Sequence, residues 1–222
     1  MHPTHSTTVM KIFRLLPVVI IAFFAISWFS KTRTGEKPVR DQIQVTSAAT
    51  NPPSVTKKLK DKAIAAKQFT ERKGYNENIC VLIDMSLPSG KNRFFVYNLQ
   101  KDSVQARGLV AHGNCFENWL EGRRYSNVVG SGCTSLGKYK IGLPYTGKFG
   151  YSYKLHGLDT TNNNAFERTV VLHSHSCVPS GEISDDICQS NGCPTVSPDM
   201  LAVLKPIINN SRKPILLWIY DK

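Results

Sequence analysis

A mainly β fold, a sandwich or barrel with one or two short helices, is predicted by three features of this 222-residue chain. Short apolar runs recur from Ile79 to the C-terminus. Clusters of Gly, Pro, Ser and Asn punctuate them. Only two stretches carry helical spacing. Many short strands with few helices is the pattern of a β-sandwich or barrel.

The N-terminal third comes first. Leu15 to Phe29 is almost unbroken apolar sequence, interrupted by Pro17 and Ser27 and preceded by Lys11 and Arg14. About 20 residues are needed to span a bilayer, so this shorter run suits the core of an export signal. Ala25-Ile26-Ser27 supplies small residues for cleavage, whereas Trp28, Phe29, Lys31 and Arg33 would extend the run into a retained anchor. Residues 1–30 are therefore expected to be a signal peptide or a membrane anchor, and both stay open. Either places residues 31–222 in the periplasm or cell envelope, with the membrane touched only through this N-terminal segment. Residues 31–56 are rich in Thr, Ser, Pro, Gln and Lys and read as a flexible linker. Residues 57–74 are expected to be a helix, with Leu59, Ala63, Ile64, Ala66 and Phe69 interleaved among lysines and a cap at Ser54 or Thr56.

Residues 75–222 form the expected main folded domain. Ile79–Asp84, Arg93–Leu99 and Val104–Ala111 read as an antiparallel meander joined by turns at 87–92 and 100–103. The glycine-bearing stretch 112–136 is expected to be a long loop. Short strands are expected at Lys138–Leu143, Tyr151–Leu155 and Thr169–Ser174, and a second long loop at 175–196. Ser197-Pro198-Asp199 starts a helix with a cap, a proline and a first-turn acid. Met200–Ile208 continues it across Pro206, which strains it. Pro214–Tyr220 closes the chain as a strand.

The charge of +12 first suggests a nucleic-acid partner. Its distribution points away from one. Residues 1–74 hold 13 Lys/Arg against 4 Asp/Glu, while residues 75–222 hold 15 against 12. The excess lies in the N-terminal part, beside the apolar run, where it suits anionic lipid or an acidic polymer. No nucleic-acid-binding motif is present, so no nucleic acid is expected as a partner.

The candidate chemistry lies late in the chain. Val170-Val171-Leu172-His173-Ser174 is a strand ending on a histidine. Ser190-Asn191-Gly192-Cys193-Pro194 reads as a tight turn presenting a cysteine. A strand-held histidine and a turn-held thiol are the minimum parts of a cysteine nucleophile and its base. Gly192 leaves room for a substrate carbonyl, and amides of such a turn can hold an oxyanion. A Gly-Cys pair is also common in disulfide loops, so the residues alone leave an enzyme and a structural loop both open.

Six cysteines are present: Cys80, Cys115, Cys133, Cys177, Cys188 and Cys193. Cys80 sits in an apolar strand and reads as a buried thiol. Cys115 with Cys133, and Cys177 with Cys188, would each staple one long loop and leave Cys193 free. Four cysteines allow three connectivities, and spacing does not choose between them. His175, two residues from His173 on the same strand face, is a pocket-rim residue or an alternative base. No Cys-x2-Cys spacing supports zinc, so neither metal nor other cofactor is expected. Asp185 and Asp186 read as solvated loop acids, and His112 and His156 as structural.

With those residues in view, the chain resembles the murein L,D-transpeptidase catalytic domain family, of the YkuD type, from about Ile79 to Ser197. The resemblance is carried by Arg93-Phe94-Phe95-Val96-Tyr97-Asn98-Leu99, Val110-Ala111-His112-Gly113, Tyr125-Ser126-Asn127-Val128-Val129-Gly130-Ser131 and Thr134-Ser135-Leu136-Gly137-Lys138-Tyr139. It continues through Tyr145–Ser152, Leu155-His156-Gly157-Leu158 and Asn163–Arg168, then the histidine strand and the Ser190–Pro194 turn. Each block is weak alone; their order and spacing are specific. The resemblance implies an L,D-transpeptidase-like β-sandwich or barrel. It implies that Cys193 attacks the L-centre carbonyl of the third residue of a peptidoglycan stem peptide and expels the terminal D-alanine, with His173 as base. The acyl group then passes to a second stem, or to water in an L,D-carboxypeptidase. Ser190 and Gly192 match fixed motif positions, with Asn191 between them, and amides around Gly192-Cys193 would hold the oxyanion. Two departures stand out. Ser174 replaces the usual glycine after the histidine. Pro194-Thr195 follows the cysteine where the general motif often has arginine. A monomer is expected, and the reading from another class is a disulfide-stabilised, non-catalytic wall-binding domain.

Overall fold

The computed structural model describes residues 53–222. The expected signal or anchor and most of the expected linker lie outside them. Among the described residues no helix is long and apolar enough to cross a membrane.

The first element, α1, spans Pro53–Lys73, so the last residues of the expected linker are helical. Leu59, Ala63 and Ala66 recur at the three- and four-residue spacing that makes one helix face, and all are buried. They pack against Leu82, Phe95, Leu216 and Tyr220. The lysines on the flank are not all solvated. Lys62 lies over the rings of Trp218 and Tyr220, 4.7 Å from each centroid, and Lys138 lies over Trp218 from the sheet side. The long stems cover aromatic surface while the ammonium groups meet ring faces.

The strands are β1 (Ile79–Asp84), β2 (Phe94–Asn98), β3 (Ser103–Gly108), β4 (Val110–Ala111), β5 (Gly137–Gly147), β6 (Gly150–Gly157), β7 (Val171–Ser174), β8 (Thr195–Val196) and β9 (Leu216–Tyr220). They form one nine-stranded sheet in the order β3-β2-β1-β9-β5-β6-β7-β8-β4. The chain is mainly β, as its patterning predicts. The meander β1–β2–β3 is antiparallel, and β9 joins β1 in parallel. The edges β3 and β4 are separated in sequence by Leu109 alone, so the sheet must curl back towards itself. The expected continuous strand Val104–Ala111 is broken at that residue because its two halves pair with opposite ends of the sheet.

Buried side chains inside the curl form the main core, including Val81, Phe94, Tyr139, Leu172 and Leu217. The second helix, α2 (Pro198–Asn209), adds Met200, Leu201 and Leu204 to it. Ser197 caps α2 by accepting from Met200 N at 3.1 Å. Pro206 lies within α2, and the helix continues past it to Asn209.

Strand β8 lies inside the segment expected to be loop. It pairs antiparallel with β4 and parallel with β7: Ala111 faces Thr195, and Thr195 faces His173. Two residues do not carry a readable period, so only the neighbours on either side reveal it as a strand.

Candidate active site

The β7–β8–β4 register builds the site. Directly opposite residues of neighbouring strands point to the same face of a sheet. His173, Thr195 and Ala111 therefore line one surface, and all three border a cavity of about 210 Å³. Cys193 also borders it. In the parallel register Cys193 lies two residues before Thr195 and so runs beside Val171 rather than His173. Val171 N–H accordingly donates to the Cys193 sulfur at 3.4 Å. Two residues of strand separate the sulfur from the histidine by about 6.5 Å along the chain direction, measured between backbones.

The turn carrying Cys193 is fixed by its own serine. Ser190 Oγ donates to Cys193 O at 2.7 Å and accepts from Gly192 N–H at 3.2 Å. Ser190 N–H donates to His112 O, and Asn114 N–H to Ser190 O, so the turn is tied to the segment after β4. Gly192 has φ +107°, and a Cβ there would lie 2.8 Å from Cys133 O. Any side chain would lift the turn off the loop beneath it. Gly113 has the same duty on the neighbouring segment, where a Cβ would lie 2.3 Å from Gly132 O. Asn191 is exposed on the cavity rim.

His173 is buried, with its ring held at both nitrogens. Nδ1 lies 3.2 Å from Ser174 O, and Nε2 lies 3.0 Å from the Thr195 hydroxyl. The Thr195 oxygen also lies 3.3 Å from Cys193 O, so the hydroxyl stands between the histidine and the cysteine's own carbonyl. Phe149, in the two-residue turn between β5 and β6, stacks on the imidazole with 4.5 Å between centroids. Ser174, which stands where the resemblance expects glycine, contributes its carbonyl. Neither Thr195 nor Phe149 is distinguished by the sequence. Thr195 could have been found from its place two residues after the cysteine, the alternation that puts both on one strand face.

Burial sets the charge state of the pair. It pushes the half-buried Cys193 thiol up, opposed by Val171 N–H and by the nearby Arg168 guanidinium. It pushes His173 down, opposed by the Ser174 carbonyl and reinforced by His175. Both shifts disfavour charge, so the resting pair is a neutral thiol and a neutral imidazole rather than a preformed ion pair.

The other cysteines are accounted for. Cys115 pairs with Cys133, and Cys177 with Cys188, leaving Cys80 and Cys193 as the free thiols. Cys80 is buried, and burial pushes its thiol up to about 12, which makes it inert. The Cys177–Cys188 bridge forms part of the cavity wall. His175 borders the cavity and accepts from Cys177 N–H at 3.1 Å. Among the described residues no group of three or more His, Cys, Asp or Glu is placed to hold a metal ion. Asp186 is less solvated in its bonding than its exposure suggests: it accepts from Ser89 N–H at 3.3 Å and so ties the second loop to the turn before β2. His156 stacks on Phe166, 5.1 Å between centroids.

A scan against protein families matches residues 51–220 to the L,D-transpeptidase catalytic domain. The chain belongs to that family. The match takes in α1 as well as the sheet. A search of curated proteins gives no match. Among solved structures, an L,D-transpeptidase from Mycobacterium smegmatis is 11% identical with a TM-score of 0.40, covering 64% of this chain and 58% of that one. The L,D-transpeptidase LdtMt1, solved in complex with imipenem, is 12% identical with a TM-score of 0.39, covering 64% and 59%. The helical cell shape determining protein Pgp2 from Campylobacter jejuni is 11% identical with a TM-score of 0.44, covering 77% and 57%. The chain thus spans less than three fifths of each of these proteins.

Proposed function

We propose that this L,D-transpeptidase-family domain is a cysteine acyltransferase of the cell envelope acting on peptidoglycan stem peptides, with Cys193 as nucleophile and His173 as base. One observation carries the reading. A free thiol on the cavity sits on a serine-pinned glycine turn, and a buried histidine fixed at both ring nitrogens stands on the same wall. The apolar segment before residue 30 and the two disulfides support an exported, oxidising location.

The steps balance without a cofactor. The Cys193 sulfur attacks the carbonyl carbon of the third stem residue at its L-centre. His173 takes the thiol proton, directly or through one water. The imidazolium then has an acceptor at each nitrogen, the Ser174 carbonyl and the Thr195 oxygen. Gly192 N–H is engaged by Ser190, so the Cys193 amide is the turn's donor to the oxyanion. Collapse breaks the bond to D-alanine, whose amine leaves with the proton from His173, and a thioester remains. The amine of a second stem attacks the thioester, loses a proton to His173 and restores the thiol.

The test is intact mass of the full chain after incubation with a tetrapeptide stem, with and without an amine acceptor. A thioester adduct that vanishes in Cys193→Ser supports the reading. Transfer to the amine identifies a transpeptidase, and release to water a carboxypeptidase. No adduct at all on protein with a free Cys193 thiol would leave a wall-binding domain.

A further inference from the structure

Arg168, in the segment between β6 and β7, reaches under the Ser190–Cys193 turn. Its guanidinium donates to Ser126 O at 2.8 Å, to Ser135 Oγ at 3.0 Å, to Ser131 Oγ at 3.4 Å and to Cys133 O. Every one of these acceptors is neutral. Among the described residues no carboxylate pairs with it at ion-pair distance, although it is half-buried. Its Nη2 atom packs on the turn: a Cβ on Gly192 would lie 3.4 Å away. A full positive charge is thus held, without a counter-ion, against the residue next to Cys193.

Four neutral hydrogen bonds occupy the two Nη groups but leave the charge of the guanidinium unanswered. The ionisable groups around the turn are few. Tyr139, from β5, is buried and pushed up to about 12, so it is not an anion near neutral pH. His173 and His175 offer no negative charge in any state. Cys193 is what remains, and it becomes an anion in the course of the reaction.

We infer that Arg168 is a positioning residue that stabilises the Cys193 thiolate by its charge while holding the loop 126–135 beneath the turn by its hydrogen bonds. This rests on the reading of Cys193 as the nucleophile. The mutual influence of the two groups agrees: Arg168 favours the Cys193 thiolate, and Cys193 helps keep Arg168 charged where burial opposes it.

The experiment is the pH dependence of iodoacetamide alkylation at Cys193, read by peptide mass on the full chain, for wild type, Arg168→Lys and Arg168→Gln. Melting temperature is recorded for each. The Gln variant is expected to raise the alkylation midpoint by about one pH unit, so that labelling at neutral pH slows about tenfold. The Lys variant keeps the charge but not the fork, and is expected to hold the wild-type midpoint despite a lower melting temperature. Equal midpoints in wild type and Gln, or a Lys midpoint raised as far as that of Gln, would make Arg168 a structural cross-link only. If the Gln variant does not fold, Arg168→Met, which keeps an unbranched stem but drops the charge, replaces it: a midpoint raised above those of wild type and Lys supports the charge role, and one equal to them overturns it. Wild-type protein in which Cys193 does not alkylate at any pH sinks the nucleophile reading, and this inference with it.

Discussion

His112 and His173 stand two strands apart in one sheet, and their positions give them opposite uses. Thr195 pairs with His173 on one side and with Ala111 on the other, so His173 and Ala111 face the cavity. His112 is the next residue and points the other way. There it meets Arg93, fully buried, whose Nη2 lies 3.0 Å from His112 Nδ1 and whose remaining donors satisfy Val110 O and Leu87 O. Burial, then Arg93 and Arg123, push His112 down to about 4. His173 is buried too, but has a hydroxyl, a carbonyl and an open cavity around it. Burial beside an arginine holds His112 neutral down to about pH 4, whereas the hydroxyl and carbonyl around His173 can accept from a protonated ring. One residue of register separates a packing histidine from the proposed base.

Replacing the groups on the cavity side tests this contrast most severely. Cys193→Ser is expected to abolish thioester formation, and His173→Gln to slow it on the order of 10³-fold. Both should stay folded, as judged by circular dichroism. A His112→Gln variant that lost acylation as completely would erase the distinction.

The next effect belongs to the packing side and is one of stability. The unfolded chain binds a proton at His112 near pH 6.5, and the folded chain only near 4. Stability from this group is complete above about pH 6.5 and is lost as pH falls towards 4, by up to about 3 kcal/mol. Urea unfolding at a series of pH values should show that fall in wild type and a shallower one in His112→Gln. Equal slopes would mean that burial and Arg93 do not hold His112 neutral in the folded chain.

Smaller still is the effect of the residue between the two histidines. Thr195→Val keeps the shape and the β-branching but removes the hydroxyl on His173 Nε2. Acylation is expected to fall roughly tenfold, about 1.4 kcal/mol, with melting temperature almost unchanged. An unaffected rate would show that Ser174 O alone orients the ring. Phe149→Ala removes the ring stacked on His173 and is expected to cost at most a fewfold in rate, about 1 kcal/mol or less, because Phe149 is itself part-exposed.

Much of the fold was legible because it rests on local pattern. The meander from Ile79 to Gly108, the capped α2 and the closing strand all announce themselves through apolar runs, turn residues or a Ser-Pro-Asp start. The continuous strand expected over Val104–Ala111 shows the limit of such reading. Nothing in those residues says that Gly108 and Val110 pair with opposite ends of a sheet. Strand β8 was illegible for the related reason that two residues are too short for a period. The site divides in the same way. His173 and Cys193 carry reactive groups in recognisable settings, whereas Thr195, Phe149 and Arg168 acquire meaning only from what stands beside them.

The sequence by itself determined the mainly β class and singled out the two side chains on which the chemistry is proposed, because those rest on local period and residue type, and its ordered blocks from Arg93 to Pro194 carried the resemblance to the family. The tertiary structure alone decided that His112 and His173 face opposite ways, which cysteines pair, and that an unanswered arginine lies under the Gly192-Cys193 turn. Those outcomes depend on register and on contacts between residues far apart in the chain, and hydrophobic pattern is blind to both.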